Sequence, residues 1–357
     1  MPPRTASAYA SHVLGRTFSR GRALALGVLT LVLATGLGAC GGSDESGEKP
    51  PPPARAQDFP RPEGKTLGQM IKGLGEAGPV LSPSVSVLEP GENRFGFGLF
   101  DRARRQLADA PVALYIAPAE NGTVRDGKVS GPFLARYESL AVKSPYQSKT
   151  VAQDDDTAKS VYVADIDFPK DGQYAVLGVV RLDDRLVGTG PVGVEVKDGT
   201  AVPGVGDPAP RIDTPTTADV GGDLKQIDTR VPPSTMHERS FKEIAGRRPA
   251  VLLFATPALC QSRVCGPVVD IAEQAKAENG EGVEFVHQEI FQDNEIKKGC
   301  LERKRPMKKC FREQVIAFKL PTEPWLFTID ADGRVAARIE GAFSAKELEQ
   351  AIEKARQ

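Results

Sequence analysis

Imidazole is nearly absent from this chain. Its 357 residues include three histidines, and His12 stands far along the chain from His237 and His287. Without help from cysteine, so few imidazoles do not supply a His-rich metal site, and no metal or cofactor is expected. An excess of charge of one sign is also lacking. The formal net charge is -1, which argues against nucleic acid as a partner. Aromatic residues make up only 6%, and no apolar run reaches the about 20 residues of a membrane-spanning helix. Glycine and proline are plentiful by contrast, 36 and 29, which favours β-rich structure with many turns. The length suits two domains rather than one.

Five cysteines are present. Cys40 stands alone, while Cys260, Cys265, Cys300 and Cys310 fall in the last hundred or so residues. That even number suits an oxidising compartment. Residues 1–22 carry Arg4, Arg16, Arg20 and Arg22 and no acid, and an apolar segment follows over 23–37. A positive region, an apolar stretch and then small residues make an export signal over 1–39. Leu37, Gly38, Ala39 and Cys40 resemble the lipobox of bacterial lipoproteins. The resemblance implies cleavage before Cys40, lipid on that thiol, and a lipid-anchored protein on the extracytoplasmic side of the cell membrane. Residues 40–67 are polar and rich in Gly and Pro, and a disordered tether is expected there.

Residues 68–197 alternate with period two. Val85 and Val87, then Phe95, Phe97 and Leu99, stand on alternating positions, and Pro90 to Asn93 are expected to turn between them. Further strands are expected at 111–117, 133–142, 160–168, 173–181 and 186–196. Short strands at this spacing predict an antiparallel β-sandwich. Asp171, Gly172, Gln173 and Tyr174 resemble the tyrosine corner of immunoglobulin-like domains, an architectural device. The acidic run Asp154, Asp155, Asp156 is read as a solvated loop.

A linker is expected over 198–222, then a second domain over 223–357. Its pattern predicts a short helix near 240–246, a buried strand at 249–255, a cysteine-bearing loop and a helix from Pro267. A strand at 282–290, two hairpin strands from Pro324, and a helix opened by a Ser344–Glu347 capping box complete it. This order, with Cys265-Gly266-Pro267 at a strand-to-helix junction and Thr322-Glu323-Pro324 before a strand, resembles the thioredoxin family. The resemblance implies an α/β thioredoxin-like fold, a cis Pro324 opposite the reactive cysteine, and thiol–disulfide exchange with exported protein thiols or a redox partner. The family carries C-x-x-C; here Val268 holds the second place, and Cys260 gives C-x4-C instead. A helix N-terminus lowers a thiol's pKa, so Cys265 is the expected nucleophile and Cys260 its resolving partner, reversed if the helix starts earlier. The alternative is a non-catalytic binding or scaffold lipoprotein in which 260–265 is a structural disulfide. Copper handling of the kind found in Sco-type chaperones fits less well, since those carry C-x3-C and a distant histidine, although Cu(I) accepts two thiolates. Cys300 and Cys310, C-x9-C in a basic segment, are expected to form a structural disulfide.

Overall fold

In the computed structural model, residues 50–74, 78–120, 123–124, 127–301 and 304–357 are described. The expected export signal and Cys40 lie outside them. Most of the regular structure is antiparallel β-sheet, with few helices. The period-two segments become strands: β1 (Val80–Pro83), β2 (Gly91–Phe100), β3 (Val112–Glu120), β4 (Thr123–Val124), β5 (Ser130–Leu134), β6 (Arg136–Ser139), β7 (Ser160–Phe168), β8 (Gly172–Leu182), β9 (Arg185–Gly188) and β10 (Val192–Val196). One sheet runs β1-β2-β7-β6. The other runs β10-β8-β3-β4, with β5 also on β3 and β9 on β8. Phe95, Phe97, Leu99, Ile166 and Phe168 of the first sheet share a buried core with Val112, Leu114, Ile116, Val176 and Val180 of the second, as the two faces of a sandwich do.

Several expectations shift. Val85 and Val87 lie outside any strand, and Gly91 to Asn93 open β2 instead of turning before it. The Val87 amide donates to the Glu340 carboxylate at 2.9 Å, so this stretch pairs with a distant side chain and not with a strand. Asn93 closes the bend by donating to the carbonyls of Glu89 and Gly91 at 2.6 and 2.8 Å. The Tyr174 hydroxyl donates to the carbonyl of Lys170 at 3.0 Å, which pins the corner that the sequence pattern indicated. Residues 50–67, expected to be disordered, are ordered on the second sheet. Phe59 is buried beside Leu67 and Met70 of α1 (Leu67–Lys72), and the Tyr115 hydroxyl donates to the Pro60 carbonyl at 2.6 Å.

After α2 (Lys149–Ala152) and the sandwich strands comes α3 (Phe241–Ile244). It is followed by β11 (Ala250–Phe254), α4 (Cys265–Asn279), β12 (Glu284–Gln288), α5 (Glu313–Ala317), β13 (Trp325–Ile329), β14 (Val335–Glu340) and α6 (Ala345–Arg356). The sheet order is β12-β11-β13-β14, with β11 parallel to β12 and the other pairs antiparallel. Both faces of β11 are buried, which explains its unbroken apolar run. Val251 and Leu253 pack under α4 and α6. Leu252 and Phe254 pack with Phe241, Phe318 and Phe327. The capping box at Ser344 and Glu347 opens α6.

The expected linker 198–222 is no free tether. Val202 and Ala209 are buried in the second core, and Pro208 bridges Arg334. The sandwich also packs directly on the α/β part. Leu140, Val161 and Val163 lie in one core with α4 and α6. Arg94 makes a bidentate pair with Glu347, both contacts 2.8 Å, and Ser344 donates to Glu138 at 2.6 Å. Among the described residues no helix is long and apolar enough to cross a membrane.

Candidate functional site

The chain leaves β11 at Phe254 and reaches α4 through the loop 256–264. The N-cap residue, Val264, has no side chain to cap the helix, so its first amides need another acceptor. The Cys260 sulfur supplies one. The backbone N–H groups of Val264 and Cys265 both point to it, and the Ser262 hydroxyl lies 3.2 Å away. The Cys265 thiol hydrogen-bonds the same sulfur. With the Cys265 thiol as the largest influence, these donors outweigh burial and bring the Cys260 thiol down to about 6. Cys265 is the first residue of α4 and is fully buried in the core under it. Burial, then the neighbouring Cys260, push its thiol well above the ordinary value. The helix N-terminus, expected to act on Cys265, bears instead on Cys260: of the two thiols Cys260 is held low and Cys265 high. Both are free thiols.

Cys260 lines a cleft of about 660 Å³ with Leu259, Pro267, Ile296 and the sandwich residues Val151 and Asp154. The segment around α2 forms the facing wall. Arg263, with φ +58, pairs with Asp154 at 2.5 Å, and its carbonyl accepts from the Ala158 amide at 3.1 Å. Asp154 is thus half-buried in an ion pair, while Asp155 and Asp156 of the same loop are exposed, as expected. Gly266 is required where the two meet, since a Cβ there would stand 2.8 Å from Val151 Cγ2.

The Glu323–Pro324 bond is cis. Glu323 is half-buried and makes no hydrogen bond or ion pair among the described residues. It lines a second cavity of about 290 Å³ beside Val264 and Ser262. Burial, then the charge on Cys260, raise its carboxyl to about 7. The structure thus brings Cys260, Cys265 and the Glu323–Pro324 corner together.

A second polar cluster lies behind the loop. Asp228, His237 and His287 are almost wholly buried. Asp228 Oδ2 is 3.0 Å from His237 Nε2 and 3.4 Å from His287 Nδ1. His287 Nε2 meets the Ala255 carbonyl at 3.1 Å. The Thr229 hydroxyl donates to buried Glu289 at 2.7 Å and accepts from the Ala258 amide at 3.1 Å, tying the cluster to the cysteine loop. Residues from two distant stretches converge here, and only the scarcity of histidine, of which these are two of the chain's three, marks them in the sequence.

Cys300 and Cys310 form a disulfide in the segment between β12 and α5, where Phe291 bridges Phe311. No known family model and no curated protein sequence matches the chain, so the functional reading rests on the chemistry of these side chains.

Proposed function

We propose that this protein is a lipid-anchored, extracytoplasmic, thioredoxin-like protein that exchanges disulfides with exported proteins, its thiol pair presented by an immunoglobulin-like sandwich. The observation that carries the reading is the Cys260 sulfur, held by two helix N-terminal amides, a hydroxyl and a thiol at the wall of an open cleft. The order of elements from β11 to α6 and the cis bond before Pro324 support the family resemblance. The lipobox at Cys40 supports the anchor.

The reaction follows from the two thiols. The Cys260 thiolate attacks a partner disulfide, forming a mixed disulfide and expelling one partner thiolate. Cys265 then passes its proton to the Glu323 carboxylate and attacks the Cys260 sulfur. The second partner thiolate leaves and takes that proton. The partner gains two electrons, and the 260–265 pair is oxidised; run backwards, the pair oxidises a dithiol. A carboxyl near pH 7 suits this transfer.

The reduction potential of the 260–265 pair tests the reading. A value above about -300 mV, together with a mixed disulfide trapped by Cys265→Ser, supports exchange; a lower potential without trapping marks a structural bond. The contacts of Arg263 with Asp154 and Ala158, which close the sandwich over the loop, favour that second reading, a scaffold lipoprotein with a structural pair. Metabolic lipid labelling of wild type and Cys40→Ala tests the anchor, and equal labelling removes it.

A further inference from the structure

We infer that Asp228, His237 and His287 form a closed binding site for one zinc ion, built behind the cysteine loop and separate from its thiols. One ligand atom from each of Asp228, His237 and His287 lies within 4.8 Å of the other two. Asp228 Oδ2 stands 3.0 and 3.4 Å from the ring nitrogens His237 Nε2 and His287 Nδ1, about the spacing of neighbouring ligands around a zinc ion with bonds of about 2.0–2.2 Å. A cation between them reaches all three donors with small side-chain shifts.

The surroundings fit an ion. His287 Nε2 meets the Ala255 carbonyl at 3.1 Å, the outer contact that fixes a metal-binding imidazole with its other nitrogen turned inward. In that tautomer the Nδ1 lone pair faces the Asp228 carboxylate oxygen, which also accepts from the Ser234 amide at 2.6 Å, and a cation between the two would bind both. His237 Nδ1 is buried without a partner, so this ring is held from its Nε2 side alone. Ser234 Oγ, 3.2 Å from His287 Nδ1, offers a fourth donor. Glu289 stands two residues along from His287, almost wholly buried, with Oε2 lacking a partner. Two nitrogens and oxygens in a dry, closed setting select zinc over magnesium or calcium, and the burial makes the ion structural. It would clamp the 228–237 stretch to β12 beneath Ala255. A proton on His287 would fill the same gap, and the experiment separates the two.

Two neighbouring thiols could also take up zinc, so the parent for the test is the full chain with Cys260→Ser and Cys265→Ser, produced in zinc-supplemented medium because a buried ion exchanges slowly. Elemental analysis after gel filtration is expected to find about one zinc per chain, and Asp228→Asn or His237→Gln to reduce it about tenfold. Zinc K-edge absorption of the parent is expected to count two imidazole ligands, which decides the matter if neither variant folds. Less than about a tenth of an equivalent in the parent, zinc unchanged in both folded variants, or a spectrum without imidazole overturns the site. These outcomes do not depend on exchange activity.

Discussion

Replacing Cys265 by alanine removes the largest influence on the Cys260 sulfur. A hydrogen bond to a charged group contributes about 1.5–3 kcal/mol, and one pKa unit corresponds to about 1.36 kcal/mol. The loss is therefore about one to two units, moving Cys260 from about 6 to about 7–8. At pH 6.5 the thiolate fraction falls about threefold to twenty-fivefold. The remaining thiolate is intrinsically more reactive, by about threefold per unit, so the midpoint of the pH profile is the safer readout than any single rate. Stopped-flow alkylation from pH 4 to 9, with the modified peptide identified by mass, measures it. Cys265→Ser keeps a donor and should leave the midpoint near that of wild type. The charge on Cys260 also acts on Glu323, so the transition of that carboxyl near 7 must be separated by repeating the profile in Glu323→Gln. A wild-type midpoint near the ordinary thiol value, or alkylation of Cys265 in the low-pH phase, would refute the assignment of Cys260 as nucleophile.

Glu323→Gln should slow closure of the mixed disulfide about a hundredfold and abolish the rise in rate that accompanies ionisation of this carboxyl. That sign follows because only the ionised carboxyl accepts a proton; burial still raises it, but the Cys260 charge is gone once that sulfur is in the mixed disulfide, so the rise comes below about pH 7. An unchanged profile in single-turnover kinetics would remove Glu323 from the mechanism. Gly266→Val drives a side chain into Val151, whose Cγ2 is 2.8 Å from the Cβ position. It should destabilise by about 1–3 kcal/mol in urea unfolding and speed alkylation of Cys260; no change in either would mean that the segment around α2 yields freely. Changing both Cys300 and Cys310 to serine opens a loop of 10 residues and should cost up to about 3 kcal/mol without moving the Cys260 midpoint. A shifted midpoint would mean that the disulfide loop supports the thiol site.

What the sequence discloses and what it hides divide along physical lines. Alternation along β2 and β7 and the unbroken run of β11 report burial directly, because each side chain's face follows from the backbone period. The Tyr174 corner and the Ser344 cap are local, and each contact spans only a few residues. The roles within the thiol pair turn on a finer matter. One residue of helix start decides which sulfur receives the free amides, and Pro267 marks the first turn of a helix without fixing its first residue. With α4 opening at Cys265, that thiol points into the core, and the loop sulfur four positions before Val264 takes the cap. Ser84 to Val87 mislead for another reason. Their apolar alternation is real, but the donor at Val87 is claimed by Glu340 from the far end of the chain, and no period carries that information.

The same long-range packing explains why the polar cluster escaped. Asp228 and His237 lie in stretches without helix or strand, and His287 sits mid-strand where a lone imidazole reads as ordinary filling. Their convergence is set by β12 lying beside β11 and by the 228–237 stretch crossing beneath it, with the His287 amide donating to the Met236 carbonyl at 3.0 Å. The cluster and the cysteine loop therefore share a support. Ala255, which receives His287, immediately precedes the loop that carries Cys260, and Ala258 within that loop is held through Thr229 and Glu289. A loop whose ends are fixed by buried polar contacts keeps its sulfur aimed at the helix amides without a side-chain cap. This arrangement accounts for a C-x4-C loop, longer than C-x-x-C, that still presents a single ordered acceptor to α4.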